Sequence, residues 1–444
     1  MKNLILILIF IPIYSLAQCW QSVDSGPSHN LAIKNDGTLW SWGSNAYYKL
    51  GYDTGNILIS YYPRQVDNSG WIFVSGGFSH SAAIKTDGTL WTWGSIYSEM
   101  ANSFITPVQV GNENNWKYVS CGRNATIAIK IDGTLWNILP VNNSYSSSNS
   151  IIQIGIDSNW KEVSANSIAA NATTGVNYYI GLRTNGTLWA WGSRYFNNST
   201  STNPASFNSS YPIQISLENN WFKISKKSEQ ISMMIKNNGT LWYWGVSENA
   251  GAEGTPDFFQ VGTDTNWEKV DCHAHCLALK TDGSLWGWGT NYYGETAYVN
   301  SSTPSQIGTN NNWSSISTGG IHSCIINSND SLYTFGNNYL AQLGNGTTIN
   351  SNIPSQVSCS PLITENFLDN SFIVYPNPTS DILLLHNNSN LTIQKISLTD
   401  LMGKTLLEIT TNFSEINIQT FQRGIYILNI STDNKNIKYK IIKK

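Results

Sequence analysis

Apolar residues over most of this chain fall in short runs that alternate with polar ones, the period of strands with one buried face, and the runs return in a fixed order. A Pro-x-Gln-Val element (107–110, and as Pro-Ser-Gln-Ile at 304–307) precedes a Trp-x-x-Val/Ile element (71–74, 313–316). A third element, near His-Ser-x-Ala-Ile-Lys, ends in Asp-Gly or Asn-Gly, whose residues tolerate the positive φ of a tight hairpin. The fourth is Thr-Leu-Trp-x-Trp-Gly. Its Leu recurs as Leu39, Leu90, Leu135, Leu188, Leu241, Leu285 and Leu332, spaced 44 to 53 residues apart. Seven repeats of four strands predict a seven-bladed β-propeller.

The tryptophans follow the same repeat. All 18 occupy three registers: seven head the second strand (Trp20, Trp71, Trp116, Trp160, Trp221, Trp267, Trp313), six follow the marker Leu, and five lie two places later. Such periodicity assigns the indoles to packing within and between blades rather than to a ligand box.

Beyond residue 361 the repeat stops. Phe372-Ile-Val-Tyr-Pro-Asn-Pro-Thr379 opens short alternating strands at 382–385, 393–398, 406–409, 416–418 and 424–430, which predict a small Ig-like β-sandwich, and the chain ends in the basic stretch 438–444. At the other end Met1-Lys2, the apolar run 4–13 and Ser15-Leu16-Ala17 read as a signal peptide over 1–17. The expected organisation is a signal peptide (1–17), an all-β propeller (18–360), a linker (361–371) and a C-terminal domain (372–444). No second run is long enough for a membrane span.

Composition narrows the function. Only 12% of residues are charged and the net charge is −3, so there is no basic excess with which to neutralise phosphates, and nucleic acid is not an expected partner. No nucleophile elbow, phosphate-cradling loop or distinctive acidic pair stands out, so no catalytic residue and no cofactor is assigned. An enzyme remains the alternative, to be signalled by carboxylates or histidines gathered in the central channel. The segment Cys272-His273-Ala274-His275-Cys276 holds ligands that zinc accepts. On a strand, however, its cysteines and histidines point to opposite faces, and the repeat places His29, His80 and His322 in the register that Cys276 holds. Buried thiols are therefore preferred to a Cys276–Cys324 disulfide or a metal.

Period, repeat number and the phrase Gly336-Asn-Asn-Tyr-Leu-Ala-Gln-Leu-Gly344 resemble the RCC1-like propeller superfamily over about 19–358. That family includes a nuclear exchange factor, a plant photoreceptor and secreted bacterial inhibitors of β-lactamases, so the resemblance implies the fold and not the partner. The Tyr-Pro-Asn-Pro start, Asp400-Leu-Met-Gly403, the strand at 424–428 and the basic tail resemble the type A sorting domain of type IX secretion substrates. This resemblance implies the type IX secretion machinery as one partner, with release from the cell or display on its surface after processing.

Two further expectations come from chain order and loop content. The first repeat lacks a Pro-x-Gln-Val strand and the last is followed by an extra one at 354–357, which is expected to complete the first blade. Cys19 and Cys359 then stand where the peptide connection is missing, and a disulfide between them is expected in an exported chain. After the fourth element an aromatic recurs: Tyr47 and Tyr48, Tyr97, Tyr195 and Phe196, Tyr292 and Tyr293, and Tyr339. These are the candidate binding residues, a ring for an unknown extracellular protein or glycan, with stapling of each loop to its neighbour as the alternative. About 167–177 the fourth repeat carries extra residues, expected to protrude as a loop or a lengthened hairpin.

Overall fold

The computed structural model describes residues 19–53, 58–68, 70–95, 103–139, 151–168, 176–196, 205–227, 232–245, 257–359, 372–375, 377, 379–387, 391–400, 404–433 and 436–443. The chain divides into two compact units, 1–359 and 360–444. The expected signal peptide and linker lie outside the described residues.

Among the described residues the first unit contains seven four-stranded antiparallel sheets. Blade 1 runs Trp20–Ser25, His29–Lys34, Leu39–Ser44 and Ile59–Asp67; blade 7 runs Trp313–Thr318, His322–Asn327, Leu332–Gly336 and Ser351–Gln356. Each Trp-led strand packs against those of both neighbours, and that of blade 7 packs against that of blade 1, closing a ring. The Pro-x-Gln-Val element is thus the outermost strand of its own blade, and Ser351–Gln356 pairs with Leu332–Gly336 rather than completing blade 1. Every blade is built from contiguous sequence.

The joints explain the repeat. In each Asp-Gly turn the first residue accepts from the backbone N–H and hydroxyl of the Thr, or in blade 6 Ser284, two places on, and that hydroxyl accepts from the following Trp: Thr38 Oγ1 to Asp36 Oδ1 is 2.6 Å and Trp40 Nε1 to Thr38 Oγ1 is 2.8 Å. The same relay holds from Asp87, Asp132 and Asp282, and from Asn185 and Asn238. The turn's Gly carbonyl then accepts the backbone N–H of the next blade's leading Trp, as Trp71 to Gly37 (2.8 Å) and Trp313 to Gly283 (3.1 Å). These glycines cannot carry a side chain: at Gly88, φ +80°, a Cβ would lie 2.1 Å from Asn114 O. At the seventh joint Asp330, itself at φ 53°, takes the Gly position and accepts from Trp20 N–H at 3.0 Å.

Over the leading Trp of blades 1 to 6 sits a cation from the end of the second strand. Lys85, Lys130, Arg183, Lys236 and Lys280 lie 3.6–4.0 Å from the ring centroid of the Trp after the marker Leu, and each pairs with a carboxylate: Asp67, Glu113, Asp157, Glu218 and Asp264. Cation–π contacts of this kind contribute roughly 0.5–2 kcal/mol each. Lys34 covers Trp40 at 3.5 Å but donates to Cys359 O at 2.9 Å; burial pushes its ammonium down to about 8. Cys359 is bonded to Cys19. The cross-link therefore sits at the joint where the chain's two ends meet.

At the other end of the second strand, His29, His80, His275 and His322 are buried and reach into the next blade, to Ser81, Thr126, Ser323 and Asn30 respectively. The His register is held by His275, which pairs with Gly289 as His322 pairs with Gly336, and not by Cys276. Cys272 and Cys276 are direct cross-strand partners and are disulfide-bonded, whereas Cys121 and Cys324 remain thiols. The Cys276–Cys324 link is not formed, and the preference for thiols holds only for those two. In blade 4 the first hairpin is lengthened as Trp160–Ile168 and Val176–Arg183, paired through Ile168 and Val176; residues 169–175 lie outside the described residues.

The second unit has a three-stranded sheet (Phe372–Tyr375, Ile382–Asn387, Glu415–Asn417) and a four-stranded one (Thr405–Ile409, Ile393–Thr399, Gly424–Thr432, Asn436–Lys443). They enclose Leu383, Ile396, Leu398, Ile416, Leu428, Ile437 and Ile441. The basic tail is thus a strand with isoleucines on its buried face. Asn377, from the Tyr-Pro-Asn-Pro stretch, pins it by donating to Lys440 O (2.6 Å) and accepting from Ile442 N–H (2.9 Å).

Two outcomes are expected. The Cys19–Cys359 bond closes a loop of 340 residues, so Cys19→Ser should lower unfolding free energy by about 3–5 kcal/mol in urea titrations; an unchanged midpoint would show that the ring closes without it. Burial also lowers His80, His275 and His322 from 6.5 to about 3. The unfolded chain then binds protons below 6.5 that the fold excludes, and stability should fall as pH drops from about 6.5 towards 3. The urea midpoint should decline between pH 7 and pH 4.5, and more gently in His80→Gln.

Candidate functional site

The tyrosine loops begin on an asparagine. In blade 1 Asn45 accepts from Leu50 N–H and donates to Tyr52 O. In blade 6 Asn291 accepts from Thr296 N–H and donates to Ala297 O and Val299 O. In blade 7 Asn338 accepts from Leu343 N–H and donates to Thr347 O and Ile349 O. One buried or half-buried amide therefore sets the path of each loop.

That path carries a carbonyl to the next blade. Lys49 O accepts from Ser81 Oγ and Trp93 Nε1, both at 2.8 Å. Glu295 O accepts from Ser323 Oγ at 2.8 Å. Gln342 O accepts from Asn30 Nδ2 (2.7 Å) and Trp42 Nε1 (2.8 Å), so the blade 7 loop bonds to blade 1. The loop backbones are staples, and the tyrosines ride on rigid supports.

The aromatic side chains are not equivalent. Tyr292 and Tyr339 are 86% and 61% exposed, and Tyr293 meets Tyr339 edge to face with ring centroids 5.8 Å apart. Tyr47 and Tyr48 are half-buried at φ 63° and 59° and make no ring contact with those three among the described residues. Tyr195 and Phe196 belong to the strand Leu188–Phe196, paired with Ser206 and Ala205, and not to a loop. Tyr97 lies outside the described residues. The structure thus groups Tyr292, Tyr293 and Tyr339 on blades 6 and 7.

A second polar constellation is buried on the Trp-led strands, in a register the sequence repeats four places after each leading Trp: Asp24, Ser75, Ser120, Ser164, Ser225, Asp271 and Ser317. Asp24 accepts from Gly76 N–H, Ser75 from Cys121 N–H, Ser120 from Ala165 N–H and Ser317 from Ser25 N–H. Ser164 donates to Lys226 O, and Asp271 accepts from both Lys226 N–H and Thr318 N–H. Side chain meets backbone at all seven joints.

The two carboxylates in this register are met by cations. Lys227 of blade 5 reaches Asp24 of blade 1 at 2.5 Å and Ser25 O at 2.6 Å, with Lys226 at 3.5 Å from Asp24. Burial opposes the Asp24 anion, but Lys227 and Lys226 outweigh it and its carboxyl lies below the usual range. At Asp271 burial dominates and the carboxyl is raised. Both carboxylates are committed to structural bonds. Burial also pushes the Cys121 and Cys324 thiols up to about 12, which makes neither a ready nucleophile. Among the described residues no three His, Cys, Asp or Glu side chains gather as metal ligands, and no helix is long and apolar enough to cross a membrane.

Known proteins match this architecture in pieces. Residues 36–84 and 329–370, and separately 20–48 and 274–295, match the Regulator of chromosome condensation (RCC1) repeat. Residues 373–444 match the Secretion system C-terminal sorting domain. The Drosophila melanogaster Regulator of chromosome condensation is 33% identical over 85 residues, 19% of this chain and 16% of that protein. Human E3 ubiquitin-protein ligase HERC2 is 37% identical over 76 residues, 16% of this chain and 2% of the ligase. The chain therefore spans a small fraction of these relatives. Among solved structures, Prp20p from Saccharomyces cerevisiae aligns over 80% of this chain and 90% of its own at 15% identity and a TM-score of 0.57. Human WBSCR16 aligns over 72% and 93% at 16% identity, with the same score. The sorting domain implies type IX secretion machinery and indicates export from the cell or to its surface. The chain is an RCC1-repeat propeller followed by a secretion system C-terminal sorting domain.

Proposed function

We propose that this exported propeller binds an extracellular protein or glycan through the loops of blades 6 and 7, and that it has no catalytic centre of its own. The observation that carries this is the exposure of Tyr292 and Tyr339 on loops whose backbones are fixed by Asn291 and Asn338. Rigid loops lose little entropy on binding, and a tyrosine offers a large contact area with one hydroxyl for specificity. A chain with 12% charged residues also has few ions to desolvate around such a contact.

Gsp1p and histones, which yeast Prp20p binds, do not suit an exported chain. Buried carboxylates would favour an enzyme, but Asp24 and Asp271 are hydrogen-bonded to neighbouring backbones and face lysines. Binding is the better-supported function.

Immobilised protein should retain a partner from the cell's surroundings. Tyr292→Ala/Tyr339→Ala should weaken that retention at least tenfold with an unchanged melting temperature, as removal of a contact anchor does; undiminished retention would move the site elsewhere. Deleting 373–444 should leave the protein inside the cell envelope. Equal amounts outside the cell with and without that segment would contradict export through the tail.

A further inference from the structure

Blade 7 departs from the cation-over-tryptophan arrangement that the other six share. Where Lys280 of blade 6 lies over Trp286 and pairs with Asp264, the corresponding residues of blade 7 are Asn327, Tyr333 and Asn310. Both charges are gone. The leading Trp313 is half-exposed, whereas Trp20, Trp71, Trp116, Trp160, Trp221 and Trp267 are at most 3% exposed.

A groove of about 600 Å³ opens at this place, between the end of blade 6 and blade 7. Its aromatic walls are Trp313, Tyr333 and Tyr298, with Trp313 and Tyr333 perpendicular at 5.3 Å between centroids. Asn310, Asn312 and Asn327 supply amides, and no charged side chain lines it. Asn327 is 7% exposed; its Oδ1 accepts from Asn329 N–H and Ser331 N–H, while its Nδ2 has no partner among the described residues. That leaves the Nδ2 amide, at the groove wall, to donate to a ligand hydroxyl.

We infer that this groove is a binding site for a short neutral oligosaccharide. Pyranose rings present apolar C–H faces that pack on aromatic rings, and hydroxyls that both donate to and accept from amides. The volume lies in the range of small-molecule sites. A charged ligand would lose its hydration here with no counter-charge to meet it. The site does not use the loop tyrosines, so it stands or falls apart from them.

The test is a panel of neutral gluco-, manno- and xylo-oligosaccharides, with uronic-acid oligosaccharides as the charged comparison, titrated calorimetrically into the full exported chain. The decisive variant is Asn310→Asp/Asn327→Lys, which restores the pair found in the other blades and fills the groove while keeping the fold, with melting temperature as the check. Tyr298→Ala, at a 59% exposed position, is the second. The expected result is saturable binding of a neutral oligosaccharide, weakened at least tenfold by either variant and unchanged in Tyr292→Ala/Tyr339→Ala. Absence of binding to every neutral oligosaccharide, preference for the uronic acids, or binding that survives Asn310→Asp/Asn327→Lys would overturn the assignment. Loss only in the loop-tyrosine variant would place the saccharide on the loops and leave the groove without a ligand.

Discussion

The propeller depends on one backbone hydrogen bond made seven times, from the leading Trp of a blade to the carbonyl of the preceding blade's turn. Because that carbonyl belongs at six joints to a glycine at positive φ with the next blade's backbone close against it, the Asp-Gly or Asn-Gly pair serves twice over, in its own hairpin and in the approach of the next blade, while Asp330 takes a positive φ at the seventh. The Thr that follows locks the turn and holds the indole that carries the lysine. Motif and joint are therefore one object. The ring closes with the same bond from Trp20 to Asp330, and the covalent connection that this joint lacks is supplied by Cys19 and Cys359.

Much of this was legible in the sequence because each joint repeats a local chemistry. The Trp registers, the hairpin pairs and the placement of the two terminal cysteines all reflect contacts between residues at fixed spacing. Blade phase was not legible: a repeat can be cut before or after its Pro-x-Gln-Val strand with equal fidelity, and only pairing of Ser351–Gln356 with Leu332–Gly336 decides. The His register of blade 6 was not legible either: His275 and Cys276 are neighbours in the sequence, and only the pairing of His275 with Gly289 decides between them. Two periodic signals were present and unread, the cation at the end of each second strand and the Ser or Asp four places after each leading Trp. The first pairs residues at a fixed spacing within one blade, as Lys85 with Trp91 and Lys280 with Trp286; the second acts between blades, where no linear spacing displays the partner.

Function resides where the repeat is broken. Loops after the third strand are staples by backbone, yet their side chains are free to vary, and on blades 6 and 7 they carry Tyr292, Tyr293 and Tyr339. Blade 7 also gives up its lysine and its acid. Such departures cost local stability in a structure that otherwise repeats one solution, and the remaining joints and the disulfide hold the ring while they occur. The same loop position became a strand in blade 4, which is why Tyr195 and Phe196 left the expected ring.

Photo-crosslinking in the exported protein tests the binding face most directly, with a benzophenone side chain placed at Tyr339 in one protein and at Asp87, on an Asp-Gly turn at the opposite end of the blades, in another. Adducts with an extracellular molecule from position 339 and none from position 87 are the predicted result. Equal adducts from both, or none from 339, would contradict the assignment of recognition to the loops of blades 6 and 7.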